Sequence, residues 1–154
     1  MKDKRNNPWY VEERAALLAE SFLLGLGPFE LRVIQNSDVG FDYLAFFSKI
    51  DSAPVLIGVE TKATEQEVNG GYPFQVAQLK RLQNSNIPIL ILVLDVKRNE
   101  IFFNWAQDAI PEKYKELLSK RSSIPIELRK ATSEEVETLK QEIFKRITST
   151  AQVK

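Results

Sequence analysis

The sequence predicts an α/β protein, an α+β arrangement in which helices flank a mixed β-sheet. A helix-like segment comes first, and three strand-like segments, a second helix and two further strands follow it. Residues 87–96 (IPILILVLDV) are almost unbroken apolar sequence, which is typical of a strand buried on both faces. A buried strand set among helical segments favours a central sheet that is covered by helices.

The first half of the chain contains one helix and three strands. Residues 9–25 are rich in alanine and leucine and predict a helix that ends at a glycine. Residues 29–35 alternate in polarity, as a strand does. Residues 41–49 and 54–63 are enriched in aromatic or β-branched side chains and predict two strands, with residues 50–52 as the turn between them.

The middle of the chain predicts a loop, a helix and two strands. Residues 65–71 are polar and predict a loop, and residues 73–84 have helical spacing. The apolar run at 87–96 predicts the buried strand, and residues 100–105 predict a shorter one after a turn.

The last third predicts two helices around an edge strand. Pro111 opens a short charged helix that reaches about residue 120. Residues 124–128 predict an edge strand, because Pro125 cannot donate a hydrogen bond to a ladder. Thr132 is expected to cap a final helix that runs to about residue 147, with Glu135 completing a capping box.

Length and composition indicate one globular domain. The 154 residues are enough to bury a substantial core, and we predict a single domain over residues 1–154. The hydrophobic fraction of 44% and the charged fraction of 27% are ordinary for a soluble protein. The first residues lack an apolar stretch of signal-peptide length, and no apolar run could span a bilayer. We therefore expect a cytoplasmic protein without a membrane partner.

The sequence contains neither cysteine nor histidine. Their absence excludes disulfides, thiolate metal sites, Ser-His-Asp triads, Cys-His pairs and histidine-based nucleases. Any catalysis must use carboxylate, lysine, arginine, tyrosine or hydroxyl groups, or a metal held by oxygen ligands, which favours magnesium or manganese. The 21 basic and 21 acidic side chains balance. This balance argues against a strong overall attraction to nucleic acid, although a local basic face is not excluded.

Charged residues interrupt the two apolar strands of the predicted hairpin. Asp38, Gly40 and Asp42 lie in SDVGFDYLAFF, and Glu60 and Lys62 lie in PVLIGVETKA. Charge is costly in such surroundings unless it has a partner or a function. Asp38 is a candidate because Gly40 allows the backbone to bend toward the strand.

A hairpin centred on Asp51 would place Asp42 directly opposite Glu60, with Cβ atoms roughly 4.5–5.5 Å apart. Lys62 would project from the same face as Glu60, two residues further along the strand. Like charges that oppose each other in a sheet are destabilising, so the arrangement calls for a compensating cation such as Mg²⁺. A shift of one residue in this inferred register would send the two carboxylates to opposite faces.

The order helix, three strands, helix, strand, with D-x-G-x-D on the second strand and E-x-K on the third, resembles the PD-(D/E)XK nuclease superfamily. Within it, the chain is similar to a group of small prokaryotic domains of unknown function. The resemblance covers roughly residues 9–105 and implies a restriction-endonuclease-like αβββαβ core, with residues 106–154 as a C-terminal extension that adds helices. It implies that Asp42 and Glu60 bind Mg²⁺ or Mn²⁺, and that Lys62 positions or activates the attacking water.

The resemblance also implies additional site residues. Many members add a glutamate from the first helix, for which Glu13 and Glu20 are the candidates. Some add a glutamine from the helix after the third strand, which matches Gln75 or Gln78. The chain departs from the family pattern in having no proline immediately before Asp42, a departure that is common in the superfamily.

The activity implied by the resemblance is that of a metal-dependent endonuclease, a hydrolase that cleaves phosphodiester bonds in DNA or RNA. Nucleic acid is the expected partner, and cutting both strands would favour a homodimer. One alternative is a nuclease-like fold that serves as a binding or assembly module, which the balanced charge favours. The other is an ordinary mixed-sheet protein in which Glu60 and Lys62 form a buried ion pair.

Two further groups of residues have two interpretations each. Five aromatic residues are predicted to be core rather than base-stacking platforms: Trp9, Tyr10, Phe102, Phe103 and Trp105. Four cations line either a phosphate-binding face or a solvated helix: Lys113, Lys115, Lys120 and Arg121. The glutamates at 112 and 116, which are interleaved with these cations, favour the solvated helix.

Overall fold

In a computed structural model, the chain is described over residues 8–34, 40–49, 53–69 and 71–152. These residues form a six-stranded sheet, a two-stranded sheet and three α-helices. The elements are α1 (Trp9–Gly25), β1 (Glu30–Val33), β2 (Tyr43–Phe47), β3 (Val55–Thr64), β4 (Gly71–Gln75), α2 (Val76–Gln83), β5 (Ile89–Asp95), β6 (Glu100–Trp105), β7 (Ser123–Glu127), β8 (Arg129–Lys130) and α3 (Ser133–Gln152). Two 3₁₀ helices, Ala106–Asp108 and Glu112–Leu117, lie between β6 and β7.

The larger sheet is mixed, as the sequence predicts. Its strand order is β1-β2-β3-β5-β6-β8, and only the β3–β5 pair is parallel. A parallel pair needs a crossover, which β4 and α2 supply. All seven residues of β5 are buried, which explains the continuous apolar run at the centre of the sequence.

Two hydrophobic cores lie on the two faces of the larger sheet. The first core is covered by α1 and α3, and α1 contributes its residues Val11, Ala15, Ala19 and Leu23 at a spacing of four. The second core is covered by α2, the two-stranded β4–β7 sheet and the 3₁₀ helices. Ile91 and Val93 of β5 lie in the second core, directly beside Glu60 and Lys62 of β3. The predicted site residues on β3 therefore face α2 and β4.

The helix predicted over residues 73–84 starts too early. Residues 73–75 belong to β4, and α2 begins at Val76. Strand β4 pairs with β7 about 50 residues away, a contact that local periodicity does not reveal. Pro73 lies opposite Pro125 in this pair, which is tolerated because the sheet has only two strands and both are edges. The edge strand predicted at 124–128 is confirmed, although it belongs to this second sheet.

The C-terminal region is part of the same fold. Strand β8 pairs with β6, and Leu139 and Ile143 of α3 are buried in the first core. The short helix predicted from Pro111 is a 3₁₀ helix, and α3 runs beyond the predicted end at residue 147 to Gln152. Within the described ranges, no helix is both long and apolar enough to cross a membrane.

The capping box predicted at the start of α3 forms only in part. Thr132 Oγ1 accepts a hydrogen bond from the Glu135 N–H at 3.2 Å, as expected. The Glu135 carboxylate instead binds Arg129 at 2.7 Å, and the Thr132 N–H donates to the Lys130 carbonyl. Glu135 binds Arg129 rather than the Thr132 N–H because a hydrogen bond to a charged group is stronger than one to a neutral group.

The aromatic residues divide into two groups. Phe102, Phe103 and Trp105 are buried, which confirms them as core. Trp9 and Tyr10 are 74% and 46% exposed, so the prediction that they belong to the core is wrong. They lie at the start of α1, away from the four-residue spacing that faces the sheet.

Candidate active site

The β2–β3 hairpin has the register that the sequence predicts. All five residue pairs lie on a hairpin centred on Asp51, and the pair nearest the site is Tyr43 opposite Val59. The regular ladder ends at that pair, and the same register extended by one position would place Asp42 across from Glu60. Asp51 itself lies outside the described residues.

Asp42 lies at the end of the regular ladder. Its N–H donates to the Val59 carbonyl at 2.7 Å, and its side-chain Oδ2 accepts two bonds from Thr61, one from the backbone N–H at 2.9 Å and one from Oγ1 at 2.8 Å. Gly40, two residues earlier, has a φ of +89°, so the chain bends there as predicted. The other oxygen, Oδ1, accepts no hydrogen bond from the residues that the structure describes.

Glu60 is a buried carboxylate, only 6% exposed. Its Oε1 accepts a hydrogen bond from Gln78 Nε2 at 3.1 Å and lies 3.7 Å from Lys62 Nζ. Within the described ranges, Oε2 has no such partner. Both carboxylates therefore have one oxygen fixed by the protein and one that can bind a ligand.

The surroundings of Glu60 favour its protonated form. The pKa of Glu60 is raised to about 7, chiefly by burial and next by the negative charge of Asp42, while Lys62 and Gln78 act in the opposite direction. The Asp42 charge contributes because its carboxylate lies close to that of Glu60. A divalent cation between the two would favour the ionised form of both.

Lys62 is held between a carboxylate and an aromatic ring. Its Nζ lies 3.7 Å from Glu60 Oε1 and 5.4 Å from the centroid of the Phe74 ring on β4. The Lys62 side chain remains 33% exposed, so the ammonium is accessible from solvent. Thr61 and Phe74 therefore contact the candidate site residues, and neither contact was predicted from the sequence. Thr61 could have been found from its place inside E-x-K, but the contact of Phe74 depends on the unpredicted strand β4.

Of the two glutamates predicted on α1, Glu20 is the one that approaches the site. Tyr43 Oη donates to Glu20 Oε1 at 3.4 Å. The pKa of Tyr43 is raised to about 12, chiefly by burial and then by the negative charges of Glu20 and Asp42. The charges of Glu20 and Asp42 therefore both act on one phenol. Glu13 is exposed, about 10 Å along the helix axis from Glu20.

The other predicted site residues fall outside this cluster. Gln78, not Gln75, is the glutamine that reaches Glu60. Gln75 is exposed at the end of β4 and lines a separate cleft. Asp38 lies outside the described residues.

The donor set fits a hard divalent cation such as Mg²⁺. Asp42 Oδ1 and Glu60 Oε2 offer two oxygen ligands, and Mg²⁺ in proteins is held by one or two carboxylates with waters and substrate phosphates completing its shell. Within the described ranges, no group of three or more aspartate, glutamate, histidine or cysteine side chains could hold a metal. Asp42 and Glu60 are therefore the two candidate ligands, and water or substrate would have to supply the others.

Comparison with known proteins gives no family assignment. No protein-family model, curated protein or solved structure matches the chain. The function of the chain is therefore inferred from the four side chains of the candidate site: Asp42, Glu60, Lys62 and Gln78.

Proposed function

We propose that the chain is a divalent-metal-dependent nuclease of PD-(D/E)XK type that hydrolyses phosphodiester bonds in DNA or RNA. The observation that carries the proposal is the buried Glu60 carboxylate, with Asp42, Lys62 and Gln78 around it. These residues come from the β2–β3 hairpin and α2, in an element order that agrees with an αβββαβ core into which β4 is inserted.

The two carboxylates would hold Mg²⁺ or Mn²⁺. Thr61 and Gln78 each bind one carboxylate oxygen, which fixes the orientation of the other. When bound, the metal polarises the scissile phosphate and lowers the pKa of a coordinated water.

Lys62 would act on the reacting groups directly. Its ammonium is anchored by Glu60 and by the Phe74 ring, and its exposed part can donate to a phosphate oxygen or to the attacking water. Fixed donors aimed at the charge that develops in the transition state are usually the largest single contribution to catalysis.

Cleavage assays with matched variants test this proposal. Plasmid DNA, single-stranded DNA and RNA are incubated with Mg²⁺, Mn²⁺ or EDTA, using wild type, Glu60→Gln and Lys62→Met. The controls are Glu112→Gln and Lys115→Met, which alter an exposed ion pair on the first 3₁₀ turn after Pro111. Both site variants are expected to lose at least about 100-fold in rate, with the controls unchanged. Metal-dependent cleavage at equal rates in all five proteins would overturn the proposal.

A second candidate function is a nuclease-like binding or assembly module without turnover. Asp42 Oδ2 is already saturated by Thr61, and the pKa of Glu60 near 7 favours a neutral side chain. In this case the Glu60–Lys62 contact would have a structural role only. Calorimetric titration at pH 8 separates the two: heat from Mn²⁺ that disappears in Asp42→Asn supports the nuclease, and no heat at millimolar Mn²⁺ supports the module.

A further inference from the structure

A cleft of about 820 Å³ opens beside the start of α2. Its polar walls include Gln75, Lys80, Arg121, Ser122 and Ser123, and none of its lining residues is acidic. Two backbone features hold these walls together: Gln75 pairs with Ser123 in the β4–β7 ladder, and the Val76 N–H donates to the Ser122 carbonyl at 2.9 Å. The cleft is therefore built on paired strands.

The cleft carries a local positive charge in a chain whose charges balance. Neither Lys80 nor Arg121 has a side-chain ion pair or hydrogen bond within the described ranges. By contrast, Lys115, Lys130 and Lys140 each pair with a glutamate. Two cations without such partners, beside two serine hydroxyls and an amide, form a surface suited to a phosphate-bearing polyanion.

The cleft and the candidate active site lie on opposite sides of the same short elements. On β4, Phe74 contacts Lys62, while Pro73 and Gln75 on the opposite face line the cleft together with Tyr72. On α2, Gln78 reaches Glu60 and Lys80 lines the cleft. These two helix residues are about 200° apart around the axis, one on each side of the buried face.

The separation of the two sites corresponds to a few nucleotides. An α-helix with its side chains is roughly 10–12 Å wide. A nucleic-acid strand rises about 3.4 Å per nucleotide, so three nucleotides would cross α2. We infer that the cleft binds the phosphodiester backbone of the nucleic-acid substrate about three nucleotides from the scissile phosphate. This inference rests on the proposed function and adds a subsite to it.

The binding would be independent of sequence. Arg121 can donate two parallel bonds to phosphate oxygens, and Lys80 adds a point charge. Because such contacts release counterions, each one contributes to the salt dependence of binding.

Fluorescence anisotropy with labelled single-stranded and duplex oligonucleotides, measured in EDTA across a salt series, tests the inference. Wild type is compared with Lys80→Ala/Arg121→Ala and with a control pair, Lys97→Ala/Lys113→Ala, whose residues lie outside the cleft. The cleft variant should bind more weakly, and the slope of log K against log salt should become shallower by about 1.4–1.8. The control should match wild type, and all three proteins should have the same melting temperature.

Hydrolysis of a small phosphodiester is the second measurement, because it reports on the active site without the cleft. Bis-p-nitrophenyl phosphate is too short to reach from Lys62 to the cleft, so the cleft variant should hydrolyse it at the wild-type rate while KM for a 20-nucleotide substrate rises. Unchanged affinity and salt slope in the cleft variant, or an equal loss in the control pair, would overturn the inference, as would no binding by wild type. Cleft-dependent binding without any cleavage would support the cleft and overturn only the nuclease proposal.

Discussion

At the scale of single residues, Glu60 is the most informative group. Its carboxylate is buried beside another carboxylate, and among the described residues one amide and one ammonium stabilise it. A group placed in this way costs stability when it ionises. Perturbed carboxylates of this kind cluster at functional sites, which is the physical reason to place catalysis here.

The stability of the protein should therefore depend on the ionisation of Glu60. Its pKa is raised from 4.5 to about 7, so the folded state binds this proton more tightly than the unfolded state does. The resulting stabilisation is complete below pH 4.5 and is lost as pH rises through 7, about 3 kcal/mol in all. Without metal, Glu60→Gln should match wild type near pH 4.5 and exceed its free energy of unfolding by about 3 kcal/mol above pH 7.

Urea denaturation in EDTA at several pH values measures this difference. Glu112→Gln is the matched control, since its carboxylate is exposed and should give no pH-dependent gain. A constant difference between Glu60→Gln and wild type from pH 4.5 to 8 would contradict the environment assigned to Glu60.

At the scale of elements, the hairpin was predictable and β4 was not. Both strands of the hairpin carry their own aromatic and β-branched signal, and the turn that the sequence predicts between them sets the expected register. Strand β4 contains Pro73 and lies in sequence with helical spacing, whereas its partner β7, with Pro125, was predicted as an edge strand without a known neighbour. Their pairing depends on a contact between distant parts of the chain. Because β4 was not predicted, the contact between Lys62 and Phe74 could not be predicted either.

The Phe74 ring should matter more for rate than for stability. Phe74→Leu keeps most of the buried volume, so it should cost less than about 1.5 kcal/mol of unfolding free energy. It removes the ring beside Lys62, so kcat for cleavage should fall clearly. Phe47→Leu, which alters the first core on the opposite face of the sheet, should lose similar stability and keep its kcat. Equal kcat values in the two variants would show that the ring does not position Lys62.

At the scale of the whole molecule, the C-terminal region completes the fold. The sequence suggested a core over residues 9–105 with an extension, because the resemblance stops there. In the structure, α3 covers the same sheet face as α1, and Trp105 Nε1 donates to Glu142 of α3 at 2.8 Å. Local patterns could identify α3 as a helix but could not show what its apolar face covers.

Removing α3 should therefore unfold the protein. A chain that ends at residue 131 would expose Phe103 and Trp105 and would lose Leu139 and Ile143 from the first core. We expect it to lack a cooperative thermal transition in circular dichroism. A cooperative transition close to that of the full chain would show that α3 is dispensable.

The balanced net charge of the chain does not reveal how its charged residues are distributed over the surface. It predicts no strong overall attraction to nucleic acid, but it could not show that Lys80 and Arg121 line one cleft whose described walls carry no acidic residue. The cleft arises because β4 pairs with β7, which brings two distant segments of the chain together.

The most direct test of the candidate metal site is a crystal structure soaked in Mn²⁺ at pH 8, read by anomalous scattering. We predict one anomalous peak within roughly 2.3 Å of both Asp42 Oδ1 and Glu60 Oε2, with Lys62 beside it but not bound to it. Anomalous density elsewhere on the protein, with none between these two carboxylates, would contradict the account.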